Sequence, residues 1–560
     1  MPRIYACFVS EEIISSITLN AYAKSGVGYL YVSISEDGEN WTDLEGVEVP
    51  SGADAYTLNF SDSVYYIWLE AYEKQIRIES ATVTYGSGSG SGGNTSGGNT
   101  TPAEKMPAQA YKPENHTPND DILHDAVKDY IVGDPDNGNQ LSIGLPSLGD
   151  YSALVVPVQF ANDKFTTDEL ADLATVFNGT EAQTGWNSVS SYYSTSSFGK
   201  LNLSFDIYDS PVTMPKNSSE YDYSTKTSDG SIDILNYVLN SIDPSVDLSQ
   251  YDTNDDGYID AVYLIYSAPI DYQSENSIYW AFVSWHFESA EYDGVMAHYY
   301  LFAGVDFMYE DVEGSESEYA IDGLKLNAST YIHETGHLLG LDDYYDYNEG
   351  KGSDCGLGGS DMMDSTVGDH NVYSKLMLGW VNPTVVTSTQ TLTIDSSTET
   401  GQFIMVLLDY NGTYFSEYLL IDLYTATGLN EMHANQPESL LYFDMGDIEQ
   451  KSAAFGARIY HVSSSIQNPY GDNYSSFTDN NNSLTKNALI KLVEADGDKN
   501  FESDIYKDVR YASSNDLWQT GDKLSAIQPN YTRNDGKALN FDISFDSVSA
   551  NGATITVTFN

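Results

Sequence analysis

HETGHLLGLDDYYD, residues 333–346, decides how the rest of the chain is read. On a helix, His333 and His337 lie four residues apart and project from one face, one turn above the other. Two neutral imidazoles so placed can share a zinc ion at about 2.0–2.1 Å. Glu334 points aside, within reach of a water rather than of the ion, and can take that water's proton as general base. Gly340 supplies the left-handed residue that ends a helix. The sharp turn after it lets Asp343 swing back as a third ligand. Two histidines and one acid leave a coordination position open, as a catalytic zinc site requires.

Immediately upstream, STYIHETGHLLGL interleaves apolar residues with the histidines, which predicts a half-buried helix. Further back, ALVVPVQF (153–160) is a nearly continuous apolar run, expected of a strand covered on both faces. TDELADLATVFNG and WNSVSSYYSTSSFG have helical spacing, LNLSFDIYDSPV alternates as a strand, SIDILNYVLNSI is an amphipathic helix, and AVYLIYSAPI is again an apolar strand. Alternating strands and helices predict an α/β domain over 151–384. Inside it, Asp252, Asn254, Asp256 and Asp260 in DTNDDGYID follow the first part of an EF-hand loop, with Gly257 at the sharp turn. Tyr263 stands where the bidentate glutamate belongs, so the loop is a candidate calcium site lacking one ligand, or a plain Asx-rich turn. YWAFVSWHF, which contains His286, reads as a strand whose edge could align a peptide by main-chain pairing.

Several segments together resemble the M6 family of metallopeptidases, the immune inhibitor A type, related to the metzincins. They are HETGHLLGLDDYYD, SDMMDSTVGDHNVYSKLMLGW, VSSYYSTSSFGKLNL and YDTNDDGYIDAVYLIYSA, with FSEYLLIDLYTATGLNE and GARIYHV further on. The resemblance spans roughly 150–470, and the zinc segment is its most specific part. It implies zinc held by His333, His337 and Asp343, with Asp346 as the alternative third ligand and Glu334 as base. It also implies a methionine turn beneath the metal at Met363, next to Met362. Ser365 stands where some metzincins carry an auxiliary tyrosine, so the oxyanion stabiliser is unassigned, with Tyr373 and His370 as candidates.

Beyond about 384, short strand-like runs separated by Asn, Asp, Gly and Ser predict a C-terminal β-sandwich over 385–560. At the other end, GSGSGSGGNTSGGNTTP (86–102) is a flexible tether. It separates residues 1–85, expected to form a jelly-roll-like β-sandwich with an Asp37-Gly38 hairpin, from a pre-catalytic segment at 103–150. Trp41 and Trp68 could stack on a sugar or pack in a core.

Twenty-four Lys and Arg stand against 83 Asp and Glu in 560 residues, a net charge of −59. Such a field repels nucleic acid and anionic membranes and favours divalent cations wherever carboxylates cluster. Cys7 and Cys355 are too few and too far apart for a disulfide framework. No apolar run is long enough to span a bilayer, and MPRIYACFVSEEI has too short an apolar core for a secretion signal. The expectation is a secreted or cell-surface zinc endopeptidase acting on proteins or peptides, with the N-terminal module bound to a glycan or surface. The rival expectation is an adhesive or glycan-binding protein with a vestigial peptidase domain.

Overall fold

The computed structural model describes residues 5–23, 28–35, 41–43, 47–49, 54–72 and 76–85 as backbone strands. It further describes 144–225, 228–254, 257–271, 277–286, 289–315, 317, 320–345, 357–364, 367–409, 414–434, 455–467, 476–481, 487–497, 512 and 514–560. The architecture is mostly β, with several sheets and few helices. Two compact units divide it, one formed by 1–102 with 467–476 and the other by 103–466 with 477–560.

In the first unit, six antiparallel strands form one hydrogen-bonded sheet. Tyr5–Ala23 lies between Asp54–Tyr72 and Ile76–Tyr85, and Asp54–Tyr72 is followed by Gly28–Ser35, which pairs with both Trp41–Asp43 and Val47–Val49. The register of Tyr5–Ala23 slips between Val9 and Ile14 and again between Ile14 and Ser16. A bulged strand bends and twists at such a slip. Ser35 pairs with Trp41, consistent with a hairpin there, although Asp37-Gly38 itself lies outside the described residues. So does DILHDAVKDYIVG, the helical reading within 103–150.

The second unit is built on a mixed sheet. Its main strands are β1 (Gly149–Gln159), β2 (Leu201–Ile207), β3 (Val262–Tyr266), β4 (Phe282–Trp285) and β5 (Tyr299–Gly304), and the short Val212–Thr213 also pairs with β1. Their order is β4-β5-β3-β1-β2, all parallel except β4, which runs antiparallel at the edge. Period-two alternation sends each strand's side chains into two separate cores. Ala153, Val155, Tyr263, Ile265, Leu301 and Ala303 face one side. Leu154, Val156, Val158, Val262, Leu264, Tyr300 and Phe302 face the other. That double burial is why ALVVPVQF reads as continuously apolar.

Helix α3 (Gly230–Ile242) covers the second face with Ile234, Leu235, Val238, Leu239 and Ile242. Each such side chain contributes roughly 1.5–3 kcal/mol of burial before entropy. Helices α1 (Thr167–Asn178), α2 (Val189–Ser196) and α4 (Ser329–Leu338) cover the first face. The N-terminus of α1 is closed by a reciprocal capping box, in which the Glu169 amide donates to the Thr166 hydroxyl and the Thr166 amide to the Glu169 carboxylate.

Residues beyond 384 form two larger sheets. One is β6 (Thr384–Val386), β8 (Ile404–Asp409), β9 (Glu417–Thr425), β10 (Phe455–Ser463) and β11 (Ile490–Leu492), taken in that spatial order. The other is β7 (Gln390–Ile394), β13 (Gly552–Phe559) and β12 (Phe541–Ser549). A shared cluster of Leu419, Ile421, Ile459, Phe545 and Ile555 packs between them. Every residue of β9 is buried. Leu419, Ile421 and Leu423 enter the cluster between the sheets, while Tyr418, Leu420 and Tyr424 join the core that also holds α4.

Candidate metal centre

Helix α4 is fixed at both ends and along its buried side. The Tyr331 hydroxyl donates to the Gly304 carbonyl at the end of β5 (2.7 Å). The Tyr193 hydroxyl of α2 donates to the Ile332 carbonyl (2.6 Å). At its C-terminus Gly340 adopts φ +96°, and the Leu341 amide reaches back to the Gly336 carbonyl (3.0 Å). This is the left-handed turn expected after the second histidine.

That turn returns Asp343 to the two imidazoles. Its Oδ1 lies 2.9 Å from His333 Nε2 and 3.2 Å from His337 Nε2. The remaining ring nitrogens donate to backbone carbonyls, His333 Nδ1 to Met362 and His337 Nδ1 to Leu341, each at 2.8 Å. These two bonds fix the ring orientations and aim both Nε2 atoms at one point, the arrangement that orients metal-ligating histidines. One ligand atom from each of His333, His337 and Asp343 falls within 4.8 Å of the others. Asp346 lies outside the described residues.

The electrostatics of the trio are tightly coupled. Burial alone would pull His337 down, but Asp343, Glu334 and the Leu341 carbonyl outweigh it and push the ring up to about 10. His333 is raised in the same way, and Asp343 is held far below the usual carboxylate range despite its burial. Glu334 is 6% exposed, and its Oε2 has no hydrogen-bond partner among the described atoms. Burial raises its carboxyl above the ordinary glutamate value, His337 and His333 pull against that, Asp343 adds to it, and a hydrogen bond from the Val283 backbone opposes it. A buried, raised carboxyl beside cationic partners suits a proton shuttle.

Met363 is fully buried in a short 3-10 turn, Met362–Asp364, beneath α4. A Cβ on Gly336 would stand 2.5 Å from its sulfur, so this helix position has no room for a side chain. Met362 contributes its carbonyl to His333 instead. Asp361 holds the turn in place by accepting the Met363 amide (2.8 Å) and the Asn371 amide (2.6 Å).

Other predicted residues lie apart from the convergent trio. His370 is enclosed by the rings of Tyr192, Tyr193 and Trp380, and neither of its nitrogens has a partner among the described atoms. Burial, Lys375 and His333 hold it neutral, well below the ordinary histidine range. Tyr373 is 1% exposed and packs near Tyr344. In the candidate calcium loop, Asp252 accepts the Gly257 amide (2.9 Å), Gly257 has φ +86°, and the Thr253 hydroxyl donates to Asp260. Asp256 lies outside the described residues. Among those described, no three acids of this loop converge.

A second convergent group, Glu494, Asp496 and Asp516, escapes a reading of the sequence. Glu494 and Asp496 lie two residues apart, but Asp516 comes from a separate segment that only the fold brings to them.

No family model matches this chain, and no curated protein matches it. Among solved structures it is similar to a pectin-binding carbohydrate-binding module. The two are 23% identical over 14% of this chain and 71% of that one, with a TM-score of 0.11, too low to support an argument about fold or ligand.

Proposed function

We propose that the chain is a secreted zinc-dependent endopeptidase of the M6, metzincin-related type. The observation that carries this reading is the convergence of two Nε2 atoms, each with its Nδ1 anchored to a carbonyl, on the Asp343 carboxylate beside buried Glu334. This two-nitrogen, one-oxygen donor set fits zinc, with His333, His337 and Asp343 as its holders. When bound there, zinc supplies acidification of water and polarisation of a peptide carbonyl.

The chain's own residues do the remainder. Glu334 takes a proton from the attacking water and hands it to the departing amine nitrogen. The carbonyls of Met362 and Leu341 keep both imidazoles oriented, and Met363 packs under the helix that carries them. The edge strand β4 offers an extended substrate the main-chain pairing that aligns a scissile bond. The N-terminal unit, on its tether, would hold the enzyme to a glycan or surface. Among the described residues no helix is long and apolar enough to cross a membrane.

The test is metal content of the purified protein by mass spectrometry, with casein hydrolysis by wild type and Glu334→Ala. Zinc near one equivalent and cleavage lost in the variant support the reading. Equal cleavage by both, or by neither in the presence of zinc, refutes it.

A further inference from the structure

The turn that returns Asp343 to the imidazoles is anchored from outside itself. Asp343 points its carboxylate at His333 and His337, whereas the next residue, Tyr344, is buried in the core. The Tyr344 ring packs near Tyr373, and its hydroxyl pairs with the Ser374 hydroxyl (2.8 Å). The Tyr344 amide donates to the Met363 carbonyl (2.9 Å), which holds the peptide plane joining Asp343 to Tyr344. The plane on the other side, joining Tyr344 to Tyr345, is held by Asn481, whose Nδ2 donates to the Tyr344 carbonyl (2.9 Å). With both planes held, the two soft dihedrals of Tyr344 are set.

Asn481 lies 137 residues further along the chain and is itself buried. Its Nδ2 donates a second bond to the Ile490 carbonyl (2.7 Å), and its Oδ1 accepts the Ile490 amide (3.0 Å). Ile490 opens β11, the last strand of its sheet, so that strand is the anchor. Two donors and an acceptor on one short side chain are what an asparagine amide supplies. Aspartate would offer no donor to either carbonyl, and leucine would offer nothing to any of the three groups. We infer that Asn481 is a positioning residue for Asp343, so that the sheet beyond residue 384 completes the metal centre of the domain before it.

This inference rests on the zinc peptidase reading and adds a residue to the site that no local spacing reveals. Zinc alone is the probe. Its affinity is measured by chelator competition on the full chain carrying Asn481→Leu, both alone and combined with Asp343→Ala. Groups that orient a metal ligand contribute roughly ten- to a hundredfold in affinity. Asn481→Leu should therefore weaken zinc binding about tenfold where Asp343 is present and less than about twofold where it is absent.

The comparison separates positioning from packing. A merely structural Asn481 would lower Tm and affect zinc binding to the same extent in both backgrounds. Equal losses in the two backgrounds, or no loss in either, overturn the proposal. Should the leucine variant fail to fold, Asn481→Ser, too short to bridge Tyr344 and Ile490, takes its place in the same comparison. Zinc bound by wild type without casein hydrolysis would refute the peptidase reading alone, because the comparison needs only the metal. No zinc bound by wild type would overturn both.

Discussion

His337 and Asp343 pair where the proposed zinc would sit, and this would give binding of that zinc a particular pH dependence. The raised imidazole, near 10, means that its proton stabilises the metal-free fold. That contribution is complete below the unfolded value of about 6.5 and is lost as pH rises through 10. A metal needs the neutral ring, so at pH 7 zinc uptake should release protons, and apparent affinity should rise with pH. Calorimetry in two buffers of different ionisation enthalpy measures the release, and equal heats would contradict it. Gly336 supports a second prediction at this scale. Gly336→Ala pushes a methyl into Met363, which is fully buried and has little room to yield. It should cost about 1–3 kcal/mol, read as a fall in Tm.

Among the elements, α4 and the turn after it were the most legible part of the sequence. The histidine spacing, the glycine cap and the returning acid are all local, so short-range geometry determines them. The alternation that marks β1, β3 and β5 was also readable, because each residue's neighbours two positions away share its face. Less could be read where partners come from distant segments. Nothing in YWAFVSWHF shows which of its main-chain groups bond β5, since that depends on ladder phase. Nor does alternation reveal the register slips in Tyr5–Ala23. Gly340→Ala tests the turn itself. At φ +96° an added Cβ should cost about 1–2 kcal/mol and shift Asp343, lowering both Tm and zinc affinity as measured by chelator competition.

For the molecule as a whole, charge and core burial act in opposite directions. A net charge of −59 repels itself in the folded state more than in the expanded one. Raising salt from a few millimolar to about 0.15 M, where the Debye length is ~8 Å, should therefore raise Tm at neutral pH, and a flat melting profile would contradict this. Against that repulsion stand the three apolar clusters, one of which runs from β1 through α4 to β9 and β11. Tyr373 and Trp380 share that cluster with Tyr418 and Leu420. A chain ending at residue 384 should aggregate on size-exclusion chromatography, because it strips the cover from those side chains.

β9, enclosed on both sides, is thus a party wall between two rooms. A wall of that kind cannot be inherited by one tenant alone, so natural shuffling or laboratory grafting that moves the histidine helix elsewhere must carry residues 417–425 along with it.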